Sequence, residues 1–294
     1  MALLMGALVK RKRGQLMKIL IVGGVAAGTK AAAKLKRLNP AADVTILTKG
    51  KDISYAGCGL PYYVGGLIPE KEDLIVNTPA KFTALTGAKV LVEREVTALD
   101  AQKKELTAHN LRTGVQENYD YDECIIACGA SSIVPPLPGV SLPGVFTMRT
   151  PQDAIELREY LEQTGAKRAV VAGGGFIGLE MAENLHRAGL SLSVIEMQKQ
   201  VMAPLDYEMA RLLHENMEMN GVELILEDGV KQFCQKENQV ELLLASGKTI
   251  RTDMVILSIG VRPNSRLASE AGLALNARGG ILVNEFLQTS VPNI

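Results

Sequence analysis

Two glycine-rich loops and one cysteine are the parts of this 294-residue sequence whose residue types and spacing are suited to chemistry. The second loop places glycines at the spacing that lets a pyrophosphate approach the backbone at the start of a helix. Its glycines are Gly173, Gly175 and Gly178. The first loop spans residues 23–28 and has a valine at the second glycine position. The chemistry these loops predict is the binding of dinucleotides.

The elements that must position the loops are predicted as two βαβ units, because each loop follows a short apolar run and precedes a helical pattern. The predicted elements are a strand at 18–22, a helix at 29–38 and a strand at 44–47, then a strand at 169–172, a helix at 179–187 and a strand at 193–196. One imperfect loop often only turns a strand into a helix, whereas two in register favour dinucleotides.

The residue that ends the second strand of each unit selects the nucleotide. Glu196 holds this position in the second unit, where a carboxylate binds both ribose hydroxyls and repels a 2′-phosphate. This favours NADH, and the basic neighbour Lys199 leaves NADPH as the alternative. Thr48 holds the matching position in the first unit and offers a ribose a single hydroxyl.

The segments that follow each βαβ unit resemble one another, because in both a buried strand ending in glycine brings the chain back to the sheet. Antiparallel strands are predicted at 89–99 and 105–109, buried strands at 122–130 and 253–260, and a proline-rich connector at 133–143. The predicted fold class is therefore α/β, with two Rossmann-like, three-layer units that bind dinucleotides.

Composition excludes several other classes of function. With 47% hydrophobic residues and a formal net charge of +0, the sequence predicts a globular protein whose partners are neither nucleic acid nor membrane. The four cysteines contain no CxxC pair, and the three histidines are scattered, which predicts no metal site. A reducing, cytoplasmic location fits this cysteine usage.

Cys58 lies between two glycines and three residues before a proline. A lone cysteine among apolar residues is most often a small core residue. Here the glycines indicate a backbone held close to a ligand, and a helix predicted to begin near Leu60 would lower the thiol pKa. Cys124 and Cys128 lie on a predicted buried strand and are interpreted as structural.

Over residues 17–294 the chain resembles the FAD-dependent pyridine nucleotide-disulfide oxidoreductases, and within them the single-cysteine group of coenzyme A-disulfide reductase, NADH oxidase and NADH peroxidase. The matching motifs are residues 23–28, 54–63, 127–129, 173–180, 260–264 and 283–294. The resemblance implies an FAD-binding domain at 17–148 and 263–294, an NAD(H)-binding domain at 149–262 inserted within it, and an extension at 1–16.

The same resemblance implies roles for individual residues. Cys58 is the redox thiol beside the flavin. The residues that contact FAD are Gly23, Val25, Ala26, Ala27, Gly28, Thr48, Ser54, Val96, Ala127, Cys128 and Gly129. Those that contact NAD are Gly173, Gly175, Phe176, Ile177, Gly178, Glu180, Glu196 and Gly260.

Two departures from relatives narrow the expected reaction. Members with two cysteines place the second one five residues after the first, where this chain has Tyr63, so Cys58 is expected to cycle through a mixed disulfide, a persulfide or a sulfenic acid. Peroxidase and oxidase members carry a histidine where this chain has Ala26. NADH-dependent reduction of a small disulfide or persulfide, such as coenzyme A disulfide, is therefore the leading hypothesis. An NADH oxidase or peroxidase, and a catalytically silent nucleotide-binding fragment, are the alternatives.

Relatives continue past the position of Ile294 into an Ala-x-Gly-Asp segment that binds FAD and then into a dimerisation domain. The resemblance therefore implies weak or partial FAD retention by this chain, and a homodimer only where that domain is present.

Overall fold

The computed structural model describes residues 16–294. The predicted extension lies outside the described residues except for Leu16, and so does its basic run, Lys10 to Arg13. Among the described residues no helix is both long and apolar enough to cross a membrane.

The strands of the described residues are short. In chain order they are β1 (Lys18–Val22), β2 (Asp43–Thr48), β3 (Lys89–Val92), β4 (Arg94–Asp100), β5 (Glu105–Asn110), β6 (Gln116–Asp120), β7 (Glu123–Ile126), β8 (Ala130–Ser132), β9 (Val145–Thr147), β10 (Arg168–Ala172), β11 (Ser191–Glu196), β12 (Glu223–Leu226), β13 (Val230–Lys236), β14 (Gln239–Leu244), β15 (Thr249–Thr252), β16 (Met254–Leu257) and β17 (Val261–Pro263).

The α-helices of the same residues are α1 (Ala26–Leu38), α2 (Leu60–Val64), α3 (Pro79–Thr86), α4 (Pro151–Thr164), α5 (Phe176–Arg187), α6 (Tyr207–Met219) and α7 (Arg266–Glu270). Single 3-10 turns lie at Gly57–Gly59 and Lys71–Leu74. The chain divides into two compact units. The first holds the described residues up to Tyr55, Ile75–Ala130 and Pro263–Ile294, and the second holds Ala56–Leu74 and Ser131–Arg262.

The first unit is built on a parallel sheet in the order β3-β2-β1-β7. Alternate residues of β1 face opposite ways, because side chains alternate along a strand. Ile19 and Ile21 pack in the cluster that holds Ala32 of α1, whereas Leu20 and Val22 pack with residues of the antiparallel sheet β4-β5-β6. The sheet is therefore the middle of three layers, and its core lies on both faces.

The second unit repeats this plan. Its parallel sheet has the order β12-β11-β10-β16-β9, and an antiparallel sheet β13-β14-β15 covers one face. Val170 and Ala172 of β10 pack with Val240 and Leu242 of β14, and the helix α5 contacts β10. The α/β class with Rossmann-like units is confirmed.

Several details differ from the sequence-based expectations. The buried strands expected at 122–130 and 253–260 are shorter and end at Ile126 and Leu257. Residues 89–99 were expected to form an antiparallel strand, but they form β3, which pairs in parallel with β2, and β4, which pairs antiparallel with β5. Glu93 separates them with a φ of 55°, a left-handed conformation that ends one strand and redirects the chain. In addition, α1 and α5 each begin three residues earlier than predicted, inside the glycine loops.

The helix α4, which the sequence analysis did not predict, has a strong local start signal. Thr150 caps it, since its hydroxyl accepts the Asp153 N–H while the Asp153 carboxylate accepts the Thr150 N–H, and Pro151 occupies the first turn. Gly165 ends the helix in a left-handed conformation. Through Arg158 this helix contacts Tyr63, in the segment that carries Cys58.

Candidate functional site

The second glycine loop joins β10 to α5 through a turn that a side chain would prevent. Gly173 has a φ of 111°, and its N–H donates to the Ile195 carbonyl at 2.8 Å. A Cβ on Gly173 would lie 2.4 Å from the Ser258 carbonyl oxygen, and one on Gly178 would lie 2.0 Å from the Gly173 carbonyl oxygen. These contacts explain why the first and third glycines are needed: they let strand and helix approach closely.

The first glycine loop has the same backbone geometry. Gly23 has a φ of 112° and donates to the Leu47 carbonyl at 2.8 Å. A Cβ on Gly23 would lie 2.1 Å from the Ala127 carbonyl oxygen, and one on Gly28 would lie 1.8 Å from the Gly23 carbonyl oxygen. The valine at the second position therefore leaves the turn intact.

The residues that end the second strand of each unit, Glu196 of β11 and Thr48 of β2, differ in the groups that they place beside the loops. Glu196 is half-buried, and its carboxylate accepts the Gly174 N–H at 2.7 Å and the Gln198 N–H at 2.9 Å. Thr48 is buried, and its methyl carbon lies 3.1 Å from the ideal Cβ position of Gly24. The second loop is therefore held beside a carboxylate and the first beside a neutral side chain.

The start of α5 has room for a ligand. No heavy atom lies within 4 Å of the position of a Gly175 Cβ. Phe176, the first residue of the helix, is 67% exposed, and the half-buried Ile177 follows it. The Ser258 hydroxyl lies buried at the end of β16 and has no hydrogen-bond partner among the described residues. Unpaired helix N–H groups, an open glycine and a free hydroxyl fit a pyrophosphate.

The other residues expected to contact FAD lie in the first unit, around the end of β1. Ala26 and Ala27 are exposed in the first turn of α1, and Ser54 donates its N–H to Gly24 at 3.0 Å. Val96 is half-buried on β4, opposite Ala108.

The segment from Ala127 to Gly129 also lies beside the first loop. Ala127 donates its N–H to Val22 at 2.8 Å, and Asn264 donates to the carbonyls of Cys128 at 3.0 Å and Gly129 at 2.9 Å. Gly260, expected at the NAD site, is exposed with a φ of 126°.

Cys58 is exposed in the 3-10 turn Gly57–Gly59, directly before α2. The predicted helix start at Leu60 is confirmed. The Ala56 N–H donates to Leu74 at 2.8 Å, and a Cβ on Gly59 would lie 3.1 Å from Ile68, so the turn is packed on one side. Cys58 belongs to the second unit with the second loop, whereas the residues expected to contact FAD belong to the first.

Arg158 of α4 holds the chain that follows Cys58. Its Nη1 lies 3.3 Å from the Tyr63 carbonyl, 3.2 Å from that of Ile68 and 2.9 Å from that of Pro69. Its guanidinium carbon lies 4.6 Å from the centre of the Tyr63 ring. Tyr63, at the position of a second cysteine in two-cysteine relatives, is therefore one side of a packed cation–π contact.

Tyr62 joins the same short helix to the nucleotide-binding helix. Its hydroxyl donates to Glu180 Oε1 of α5 at 3.0 Å. This hydrogen bond, with the negative charge of Glu180, raises the pKa of Tyr62, so the phenol keeps its proton at neutral pH. Beyond it, Gly65 lies against Asn184, where a Cβ would come within 2.8 Å of the Asn184 carbonyl.

The two cysteines of the first unit are held in the core. Cys124 is 4% exposed, and burial raises the pKa of its thiol to about 12. Cys128 is half-buried, and burial raises the pKa of its thiol to about 11. Both thiols are therefore protonated at neutral pH and unreactive as nucleophiles.

Three basic residues of α1, Lys34, Lys36 and Arg37, carry the charge that a phosphate contact requires. Lys36 instead donates to the carbonyls of Pro40 at 2.6 Å and Ala42 at 2.9 Å, whereas Lys34 and Arg37 are exposed.

Among residues 16–294 no group of three or more His, Cys, Asp or Glu side chains is arranged to hold a metal ion.

Two three-layer units, each with a glycine turn between a buried strand and a helix, define an α/β protein of the dinucleotide-binding class. A model of the family described as "Pyridine nucleotide-disulphide oxidoreductase" matches residues 17–294. The chain belongs to this family, and the resemblance found in its motifs is confirmed.

Similar proteins agree with this assignment. The chain is 36% identical over 279 residues to a protein named NADH oxidase from Methanocaldococcus jannaschii, covering 95% of this chain and 62% of that protein. The structure of reduced Bacillus anthracis CoADR-RHD matches with a TM-score of 0.92 and 42% identity, covering 96% and 50%. A NAD-dependent persulfide reductase from A. fulgidus matches with a TM-score of 0.90 and 36% identity, covering 94% and 52%. The chain thus spans about half to three-fifths of the length of these proteins.

Sequence reasoning missed two residues of the site. Arg158 contacts a residue 95 positions away, and Tyr62 contacts one 118 positions away. An arginine in a helix and a tyrosine beside a second tyrosine carry no local signal of such contacts. Glu180 was predicted at the NAD site, but its partner was not.

Proposed function

We propose that this chain is the nucleotide-binding part of an NAD(P)H-dependent FAD flavoprotein that reduces a low-molecular-weight disulfide or persulfide through Cys58. The observation that carries the proposal is the second unit, where a glycine turn suited to a pyrophosphate and an exposed cysteine belong to one compact body. Among the similar proteins, the name persulfide reductase supports this reaction, and the name NADH oxidase matches the alternative acceptor.

The residues present fit two nucleotide cofactors. The first loop and the residues around it would hold FAD, with Thr48 near the ribose. The second loop would hold NADH, with its pyrophosphate at the start of α5 and Glu196 at the adenosine ribose. NADPH is disfavoured because Glu196 is a carboxylate, and Lys199 does not offset this strongly, since its Nζ lies 5.2 Å from the centre of the Tyr207 ring. FAD, when bound, carries an electron pair from a dihydronicotinamide to sulfur.

The exposure of Cys58 and the absence of a second thiol at position 63 support a role for it as a single redox thiol. Its thiolate attacks one sulfur of a disulfide RSSR, which forms a mixed disulfide and releases one thiolate RS⁻. Two electrons then cleave the mixed disulfide, which restores the Cys58 thiolate and releases the second RS⁻. The overall change is NADH + RSSR + H⁺ → NAD⁺ + 2 RSH, and a persulfide sulfur reacts in the same way to give sulfide.

The domain assignment, compartment and assembly belong to the same proposal. We assign FAD to the first unit and NADH to the second. A cytoplasmic setting supplies the reduced nucleotide and keeps exposed thiols reduced. A homodimer is expected in a form of the protein that carries the further length of its relatives.

An absorbance spectrum of the purified chain tests the cofactor assignment, and anaerobic NADH addition tests its coupling. We expect substoichiometric flavin that added FAD increases, and bleaching of the flavin band by NADH. A full flavin complement without added FAD would contradict the expected weak retention. Bound flavin that NADH leaves oxidised would favour the catalytically silent alternative.

The thiol assignment is tested with Cys58→Ser and, as a matched control, Cys234→Ser. Cys234 is half-buried in the second unit and accepts a hydrogen bond from Gln232 at 3.2 Å. We expect Cys58→Ser to abolish NADH-dependent release of thiol from coenzyme A disulfide, while Cys234→Ser retains it. Full activity in Cys58→Ser would refute the assignment.

The electron acceptor distinguishes the proposed disulfide reductase from the alternative, an NADH oxidase or peroxidase. NADH consumption is compared with coenzyme A disulfide or polysulfide under argon, and with oxygen or hydrogen peroxide. Turnover with only the last two acceptors would favour the alternative. We expect the sulfur acceptors to dominate, because the first loop has Ala26 where a histidine would assist peroxide.

A further inference from the structure

One hydrogen bond within the second unit links the helix that follows Cys58 to the helix that begins the nucleotide loop. Tyr62 of α2 donates to Glu180 Oε1 of α5 at 3.0 Å. Both side chains are half-buried, so water competes less for this bond than for a surface pair. The bond is directional, because the phenol remains protonated and Glu180 can only accept.

The bond leaves part of Glu180 free for a ligand. Within the described part of the chain, the second carboxylate oxygen of Glu180 accepts no hydrogen bond, whereas the next acid on that helix, Glu183, pairs with Arg187 at 2.8 Å. Glu180 lies one helical turn beyond Phe176, on the same face. A rise of about 6 Å over four residues separates it from the turn where a pyrophosphate would sit.

The chemistry of the nicotinamide ring matches this oxygen. Its carboxamide NH₂ is the hydrogen-bond donor of the nicotinamide ring, and a carboxylate accepts it with a charge-assisted hydrogen bond. We propose that Tyr62 is a positioning residue for the nicotinamide: its hydroxyl fixes the Glu180 carboxylate so that the second oxygen receives the carboxamide. This inference rests on the proposed function, since it requires a dinucleotide at the second loop.

In this proposal the helix α2 positions two groups, the redox thiol and the acceptor for the nicotinamide. The helix that sets the position of Cys58 also sets the acceptor for the nicotinamide, and Arg158 anchors it from the other side. Loss of the Tyr62 hydroxyl should therefore affect the nicotinamide end of the ligand and leave the adenosine end unchanged.

The test compares two ligands that differ only beyond the pyrophosphate and its ribose. NAD⁺ and ADP-ribose are titrated into the purified full chain by calorimetry, with the wild type and with Tyr62→Phe, which keeps the ring and removes the donor. We expect Tyr62→Phe to raise the Kd for NAD⁺ roughly three- to tenfold, the fold-change that matches the net contribution of one typical hydrogen bond, and to change the Kd for ADP-ribose less than about twofold.

Tyr160→Phe is the matched control, because it removes a phenol hydrogen bond of the same unit, to the Asp253 carbonyl at 2.9 Å, away from the glycine loop. It should leave both affinities unchanged. Glu180→Gln provides a second route: it should weaken NAD⁺ alone, and Tyr62→Phe added to it should weaken NAD⁺ no further.

Three outcomes would overturn the inference. NAD⁺ affinity unaffected by Tyr62→Phe would show that the hydroxyl positions nothing. Equal weakening of NAD⁺ and ADP-ribose would show a general disturbance of the unit. A wild type that binds neither ligand would overturn the proposed function, and this inference with it. If the wild type binds both ligands and Tyr62→Phe leaves the NAD⁺ affinity unchanged, only this inference is overturned.

Discussion

Gly173 and Gly175 lie two residues apart in one loop, yet alanine at each should have opposite consequences. At Gly173 the φ of 111° disfavours any L side chain, and the new Cβ would lie 2.4 Å from a backbone oxygen. At Gly175 the φ of −84° and ψ of −175° suit alanine, and nothing lies within 4 Å. Gly173→Ala should therefore damage the fold, and Gly175→Ala should damage only ligand binding.

The magnitudes follow from these geometries. The backbone conformation at residue 173 costs about 1–3 kcal/mol for alanine, and relief of the overlap costs about 1–3 kcal/mol more. In a unit of roughly 150 residues, each kcal/mol lowers Tm by about 2–4 °C, so Gly173→Ala should lower Tm by roughly 5–20 °C. Gly175→Ala should leave Tm unchanged or raise stability by about 0.4–1 kcal/mol, because alanine restricts the unfolded chain.

Calorimetry supplies both readouts. Thermal scans give the Tm of each variant, and titration with NAD⁺ gives the Kd. We expect Gly175→Ala to weaken NAD⁺ at least about tenfold, or about 1.4 kcal/mol, because the methyl group fills the space a phosphate would take. Wild-type affinity in Gly175→Ala would refute the placement of the pyrophosphate. Equal losses of Tm in both variants would refute the argument from backbone geometry.

Three further predictions concern the preference for NAD⁺ over NADP⁺, the anchoring of residues 60–69 by Arg158, and the pH dependence of stability. Glu196→Gln should lower the preference for NAD⁺ over NADP⁺ at least about tenfold in titrations, because the carboxylate no longer repels a 2′-phosphate; an unchanged ratio would contradict this. Arg158→Leu should speed hydrogen exchange of amides 60–69 while exchange in the parallel sheet stays slow, since three carbonyls lose their donor; uniform exchange would contradict it. Burial raises the pKa of Cys124 from about 8.5 in the unfolded chain to about 12, so stability is complete below pH ~8.5 and falls by about 1.4 kcal/mol per pH unit above it. Denaturant unfolding at pH 8–10 should show a shallower fall in Cys124→Ala, and equal slopes would contradict the assignment.

The sequence was sufficient to predict both βαβ units, because glycine turns and apolar runs are local signals. The helix starts were placed three residues late, since Ala26 and Phe176 lie within loop motifs although their backbones are already helical. The break at Glu93 was missed for a different reason. A positive φ in a glutamate depends on the strands on either side, so nothing in the local sequence indicates it.

The placement of Cys58 shows the limit of local reasoning more clearly. Its sequence context predicted a helix that begins near Leu60, and this helix is present. Its grouping with the second unit depends on contacts of α2 with α4 and α5, which are made by residues more than 90 positions away. Such contacts arise from tertiary packing, and only coordinates reveal them.

The two glycine loops are close copies, and this restricts where nucleotide selectivity can lie. The φ values of the first glycines differ by one degree, and both N–H groups donate at 2.8 Å. Even the following loops match, since Ser54 and Met202 both have positive φ and donate to the second residue of their glycine loop. Backbone geometry alone therefore cannot distinguish one dinucleotide from another. The distinction must come from side chains around the two turns, and the change from Thr48 to Glu196 replaces a buried neutral group by a carboxylate bound to the loop.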